Sequence, residues 1–181
     1  MKVIGISGLA RAGKDSFFEL CKEELGLRKI KCKRYAFADA LKQECDDFLK
    51  TNIGISSFTE NDSEKKIIRP FLVTYGSEVR RKLDPDCWVK KIGQLISRDT
   101  ESEYVFITDA RYLNEVQWIH NQGGSSVYIN RIGNEAPNEE ELKNDPITRK
   151  ECKHELSWGD FSNLNNVEIK KIANNILEQI L

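Results

Sequence analysis

The sequence predicts an α/β fold, a parallel sheet of about five strands with helices on both faces. Two observations carry that reading. Short apolar runs bounded by turn residues, Val3-Ile4-Gly5-Ile6 and Tyr104 to Thr108, have the make-up of strands buried on both faces. Between such runs, apolar residues recur at helical spacing, and strands alternating with helices assemble as parallel neighbours.

Taken in order, Phe17, Phe18, Cys21 and Leu25 mark a first helix from Asp15 to Leu25, with Gly26 placed as its C-cap. A second strand covers Cys32 to Phe37. Asp39 then caps a helix whose inner face is Leu41, Cys45, Phe48 and Leu49. Residues 51–67 are polar and turn-rich and read as an exposed loop. Helical spacing resumes with Phe71, Leu72, Tyr75 and Val79. It returns, after the break at Asp84-Pro85-Asp86, with Trp88, Val89, Ile92 and Leu95. The strand Tyr104 to Thr108 leads into a helix through Leu113, Val116 and Ile119 that ends at Gly123-Gly124, and Val127 to Ile129 make a fourth strand. Residues 133–165 are charged and weak in apolar pattern, which suits a surface excursion, with a fifth strand expected near residues 160–164. Ile169, Ile172, Ile176 and Ile180 form a closing helix.

Composition narrows the functional classes. A chain of 181 residues with 39% apolar and 31% charged residues is a single well-solvated domain. Its net charge of -1 supplies no basic field for a nucleic-acid polymer or an anionic membrane, so a bound polyanion needs local cations. No apolar run approaches the roughly 20 residues of a membrane span, and the N-terminus lacks the apolar core of a signal peptide. The five cysteines are scattered without CxxC spacing, which predicts reduced thiols, no structural zinc and a cytoplasmic location.

Sheets of this kind bind ligands at the carboxyl ends of their strands. There, Gly8-Leu9-Ala10-Arg11-Ala12-Gly13-Lys14 has GxxxxGK spacing, follows a buried strand and opens an amphipathic helix. The glycines allow a nest of inward-pointing backbone N–H groups, and the helix adds the positive end of its dipole. Gly8, Ala10, Arg11, Ala12, Gly13, Lys14, Asp15 and Ser16 are therefore expected around the phosphates of ATP, with Lys14 reaching the β- and γ-phosphates. Where a Ser or Thr usually holds Mg²⁺, this chain has Asp15, which either serves the metal directly or through water or only caps the helix. The strand end Ile107-Thr108-Asp109 offers a second magnesium anchor, the alternative being a cap for the helix of Leu113. Arg111, two residues on, suits a clamp on the transferring phosphoryl group. His120 is expected in solvent, and no catalytic histidine is invoked.

The segments GLARAGKDS, FADALK, RPFLVTYGSEVRRKLDPDCWVKKI and FITDARYLNE together resemble the deoxynucleoside monophosphate kinases of tailed bacteriophages, within the P-loop nucleoside monophosphate kinase superfamily. The resemblance runs from about residue 2 to residue 131. It rests most on GKD in place of GKS/T, on DPDxW and on the TDxR strand end. The family's His-Ser-Glu pattern departs here to His154-Glu155-Leu156-Ser157. The resemblance implies a three-layer P-loop NTPase fold with a monophosphate-binding region, at about residues 39–100, and a lid, at about residues 131–158. It also implies transfer of the γ-phosphoryl of ATP, with Mg²⁺, to a deoxynucleoside monophosphate (dNMP) in the host cytoplasm, supplying phage DNA replication. Both substrates are small-molecule nucleotides, and such kinases are monomers or homodimers.

On that basis Lys14, Arg11, Arg111 and Arg131 are the expected catalytic cations, since charge neutralisation and positioning dominate phosphoryl transfer. Asp15 and Asp109 are the expected Mg²⁺ residues. Asp39, Lys42, Arg69, Tyr75, Gly76, Arg80, Asp84, Asp86 and Trp88 are the candidates for dNMP binding. Trp88 suits a sugar or base face equally with ordinary core, and Arg149 lies within the expected lid. Three other readings compete: a phosphomevalonate kinase-like enzyme, which can share the GKD loop; a nucleotide-binding ATPase or switch without a small-molecule acceptor; and a binding protein that holds nucleotide without turnover, against which Lys14, Asp109 and Arg111 argue. The second would be supported by a guanine-reading Asn-Lys-x-Asp segment, which the sequence lacks.

Overall fold

A computed structural model of the protein describes residues 1–136, 138–159 and 166–181. The chain divides into two compact units: Met1–Tyr35 with Asp99–Leu181, and Ala36–Arg98. The first unit holds five parallel strands, β1 (Lys2–Ser7), β2 (Cys32–Tyr35), β3 (Tyr104–Ala110), β4 (Ser125–Arg131) and β5 (His154–Trp158), in the order β2-β3-β1-β4-β5. Central β1 pairs Ile4 with Phe106 of β3 and with Ser125 of β4, and its ladder to β3 shifts register between Gly5 and Ser7. That irregularity ends the strand where the glycine-rich loop begins.

Helices α1 (Lys14–Leu27) and α7 (Asn166–Ile180) cover one face. Phe17, Phe18, Cys21 and Leu25 of α1 and Ala173, Leu177 and Ile180 of α7 share a core with Ile4, Ile6, Phe106, Val127, Ile129, Leu156 and Trp158. Helix α5 (Leu113–Asn121) packs on the other face against β1 and β4, burying Val116 and Ile119. The parallel sheet flanked by helices expected from the sequence is thus the one observed. Each fully buried Val, Leu, Ile or Phe side chain of this core contributes about 1.5–3 kcal/mol to folding.

The fifth strand lies at His154–Trp158, not at residues 160–164, and residues 160–165 are outside those described. Its reason is position: among the described residues β5 pairs with β4 alone, so it alternates, burying Leu156 and Trp158 and leaving Glu155 and Ser157 exposed. Six residues of the span expected as a lid, Arg131 and His154–Trp158, therefore belong to the sheet. The remaining described part carries α6 (Glu139–Glu151), which contains Pro146.

The second unit is helical: α2 (Phe37–Ile53), α3 (Asp62–Val73), a π-helical stretch Thr74–Arg81 and α4 (Cys87–Ser97). The loop expected at 51–67 shrinks, because Asn61 caps α3 by accepting from the amides of Ser63 and Glu64 at 2.9 and 3.3 Å. Arg69 consequently lies within α3, not before a helix. Pro70 removes one donor from α3 and crowds the preceding turn, and the chain widens to π geometry four residues later. Cys45, Leu49 and Ile68 form a small core with Leu41, Leu72 and Tyr75 packed against it.

Candidate active site

The turn from β1 into α1 requires backbone that few residues tolerate. Gly8 has φ 133°, Gly13 φ 93° and Arg11, without a glycine's freedom, φ 64°. A Cβ on Gly8 would lie 2.4 Å from the carbonyl oxygen of Ile129 in β4, so the loop runs directly against the neighbouring strand. The buried Trp158 indole donates to the Ala12 carbonyl at 2.8 Å and fixes the loop from below.

Lys14 is buried, and its Nζ donates to the carbonyls of Gly8 and Leu9 at 2.7 and 2.8 Å. Burial, followed by the Arg111 guanidinium, pulls its pKa down to about 8, against the opposing pull of Glu141, Asp109 and Asp15. The loop's polar surroundings come from both sides of β1. Arg131 Nη1 donates to the Arg11 carbonyl at 3.3 Å, and Asn134 Nδ2 donates to the Ala10 carbonyl at 2.8 Å. The amide of Ala10 donates to Glu141 Oε2 at 2.9 Å, and Glu141 Oε1 pairs with Arg111. The structure thus brings Lys14, Arg111 and Arg131 of the expected catalytic set to one loop, on which Arg11 stands exposed and contributes its carbonyl to Arg131.

Arg111 leaves β3 beside Glu115, whose carboxylate accepts from the amides of Arg111 and Tyr112 at 2.7 and 3.1 Å. Glu115 is 1% exposed, so this cap fixes the strand-to-helix corner that carries Arg111. Asp15 is exposed on the first turn of α1 and sits 3.9 Å from Arg34, while Asp109 is half-buried at the end of β3. Both carboxylates act on the Lys14 ammonium. Two carboxylates near a phosphate loop suit Mg²⁺, which takes one or two protein carboxylates and completes its shell with water and phosphate oxygens. Among the described residues no group of three or more His, Cys, Asp or Glu forms a dedicated metal cage. Ser16 is exposed and lines a groove along α1 with Glu19, Lys22 and Glu23.

In the second unit Glu44 is the organising group that the sequence did not single out. Tyr75 Oη donates to its carboxylate at 2.6 Å, Arg80 Nε lies 2.8 Å away and Lys91 pairs with its other oxygen. Burial alone would raise the Glu44 carboxyl, but the donors Lys91 and Tyr75 outweigh it and hold the group below the usual range. Trp88 is 2% exposed, donates to the Gly76 carbonyl at 3.4 Å, and carries Arg80 and Lys91 over its ring. Its ring is packed in the small helical unit and is a platform for those cations.

The other acceptor candidates are placed differently. Asp84 pairs with Lys90 at 2.7 Å and accepts from the Asp86 amide, so both shape the start of α4. Lys42 lies over the Phe58 ring, Arg69 is exposed on α3, and Asp39 sits in the first turn of α2, whose N-cap is Ala36. His120, expected in solvent, is partly buried and shares a 2.7 Å hydrogen bond with Ser126 Oγ; burial lowers its pKa.

Glu141 escaped the sequence reading because it is one of three consecutive glutamates opening α6, and no local pattern marks which is buried. Glu44 likewise hid among the polar positions of α2. The signal for α3 was available: Asn61 followed three residues later by Glu64 is a helix-start pattern.

Among solved structures, the chain is similar to shikimate kinase from Aquifex aeolicus (TM-score 0.53, 15% identity, covering 98% of this chain and 96% of that one). It is also similar to shikimate kinase from Bacteroides thetaiotaomicron (TM-score 0.51, 10% identity, 98% and 97% covered) and to TT1252 from Thermus thermophilus (TM-score 0.50, 16% identity, 99% and 98% covered). At these identities the likeness establishes the P-loop kinase fold. No curated protein matches the chain by sequence. The phosphomevalonate kinase family model matches residues 6–125, a span that starts just ahead of the glycine-rich loop and passes the Arg111 corner. That match falls on the rival of the phage-kinase resemblance. With about two thirds of the sequence inside it, this chain belongs to the phosphomevalonate kinase family.

Proposed function

We propose that the protein is an ATP-dependent kinase whose acceptor already carries a phosphate, and that this acceptor is a deoxynucleoside monophosphate. The observation that carries the reading is the convergence of Lys14, Arg111 and Arg131 on one glycine-rich loop, which itself carries Arg11, at the carboxyl edge of a parallel sheet. Two polyanions must be held together for such a transfer, and charge neutralisation is most of what the protein has to supply.

In the proposed reaction an ionised phosphate oxygen of the acceptor attacks the γ-phosphorus of ATP. One P–O bond forms, the bond from that phosphorus to the β-γ bridging oxygen breaks, and ADP leaves with its electron pair. No base is required. Lys14 and Arg11 hold the triphosphate, while Arg111 and Arg131 balance charge on the transferring group. Asp15 and Asp109 would hold Mg²⁺, which when bound adds positive charge at the β- and γ-phosphates. Helix α6 with its flanking turns is the proposed lid, excluding water from the reacting phosphates.

The dNMP is favoured by the combined GKD, DPDxW and TDxR segments, while the Glu44, Tyr75, Arg80 and Lys91 cluster offers cations and a phenol to a phosphorylated acceptor of either kind. A role in supplying precursors for phage DNA replication follows from the same resemblance. Family membership favours a second reading, in which the acceptor is phosphomevalonate. Both acceptors are phosphomonoesters, and both products are diphosphates.

The deciding measurement is ADP release from Mg-ATP with a panel of dNMPs, their ribose counterparts and phosphomevalonate, with Lys14→Ala as control. Lys14-dependent turnover with a dNMP, yielding the dNDP, is the expected result. Turnover confined to phosphomevalonate would transfer the assignment to the second reading. ADP release independent of any acceptor would overturn both.

A further inference from the structure

We infer that Glu141 is an internal anion that occupies a phosphate position of the glycine-rich loop, so that a nucleotide must displace it. Its carboxylate makes the contacts a phosphate would make there. One oxygen accepts from the Ala10 amide at 2.9 Å and the other pairs with Arg111. The residue is 7% exposed, an unusual depth for a glutamate on a polar helix. The remaining cavity beside it, lined by Ser7, Gly8, Leu9, Arg111, Asp145 and Thr148, measures about 10 Å³. That is room for about one water, not for a phosphoryl group.

The helix that carries Glu141 is built to let it go. Beyond Pro146, α6 is anchored by Thr148, which is buried, and by Arg149, which pairs with Glu155 and lies over the Tyr128 ring. Just before Pro146, Asp145 accepts from Tyr128 Oη at 2.8 Å. The first turn is held by Glu141, by Glu140 on Tyr112, and by the Asn138 side chain accepting from the Glu141 amide at 2.8 Å. Pro146 deprives the helix of one intrahelical hydrogen bond between these two sets of anchors, which is where a helix bends most readily. Release of Glu141 thus frees the amide of Ala10 and the guanidinium of Arg111 together, while the far end of α6 stays docked.

The inference rests on the loop being the triphosphate site, and its test separates the two. ATP binding is measured by calorimetry for the wild type and for Lys14→Ala, Glu141→Gln and Glu141→Asp, with circular dichroism to establish folding. If Lys14→Ala binds as the wild type does, the loop reading itself fails. If Lys14→Ala weakens binding, the occupancy inference predicts that both Glu141 variants bind ATP roughly tenfold more tightly than wild type, because the competent state no longer competes with the plug. Glu141→Asp keeps the charge but is one methylene too short to reach the Ala10 amide. Tightening in Glu141→Gln alone would mean simple charge repulsion and would overturn the inference, as would tightening in neither. A variant that does not fold is replaced by Asn138→Ala, which removes the cap holding the Glu141 amide and should also tighten ATP binding; unchanged or weaker affinity counts against the plug.

Discussion

Lys14 points its ammonium at the carbonyl oxygen of Gly8, 2.7 Å away, six residues back along the chain. The loop's only lysine is therefore satisfied by the loop's own backbone, and its buried charge is held at a pKa of about 8. Triphosphate beside it favours the charged form and raises that value. Binding above pH 8 must then take up a proton, and affinity should fall by up to about tenfold per pH unit across that range. Calorimetry in buffers of different ionisation enthalpy should show little proton uptake at pH 7 and an uptake approaching about one proton at pH 9. Equal uptake at the two pH values would refute the Lys14 assignment. Folding is linked with the opposite sign. The unfolded chain, with Lys14 near 10.5, holds the extra proton between pH 8 and 10.5, so this residue's contribution to stability rises with pH there.

Gly8→Ala tests the close approach of the loop to β4. The added methyl would meet the Ile129 carbonyl oxygen at 2.4 Å, a backbone atom fixed in the sheet, at a φ of 133° that alanine avoids. Strain and overpacking act together, so the cost should be roughly 2–4 kcal/mol by urea unfolding, with ATP binding lost as the loop shifts. A variant of wild-type stability that still binds ATP would show that the loop does not need this contact.

How far the sequence foretold these features depended on whether each signal was local. The strands β1 and β3 were readable because central strands of a parallel sheet are apolar throughout, as Val105, Phe106 and Ile107 are. Strand β5 was misplaced because an edge strand alternates, and His154 to Trp158 looked like part of a charged excursion. The glycine-rich loop was readable because its backbone needs glycine at fixed spacing. Glu44 and Glu141 were not, since each acts through partners at least 30 residues away in sequence, Tyr75 and Arg111 among them. A buried carboxylate's importance lies in what surrounds it, and nothing in its own neighbourhood of sequence records that.

Glu44→Gln preserves shape and removes the charge that gathers Tyr75, Arg80 and Lys91. If this cluster serves the acceptor, its KM should rise roughly five- to tenfold at saturating ATP, the loss expected for partly exposed ion pairs acting as a network. The KM for ATP should stay within about twofold. A shift confined to ATP would detach the cluster from acceptor binding. Tyr75→Phe, which removes one donor from Glu44, should move the acceptor KM in the same direction by less.

Arg111→Ala acts on two equilibria that oppose each other in affinity but not in rate. The variant loses a cation that would contact the transferring phosphoryl group, and it also loses the partner that holds Glu141 against the loop. ATP affinity should therefore change only a few-fold, since weaker phosphate contact is offset by easier displacement of the carboxylate. No such compensation exists in the transition state, where Glu141 is already displaced and the cation would neutralise charge spread over the transferring group's oxygens. There kcat should fall roughly 10²–10³-fold. Steady-state kinetics with a productive acceptor, alongside direct ATP binding, separates the two quantities. A kcat near wild type would leave Arg111 as a structural partner of Glu141 alone.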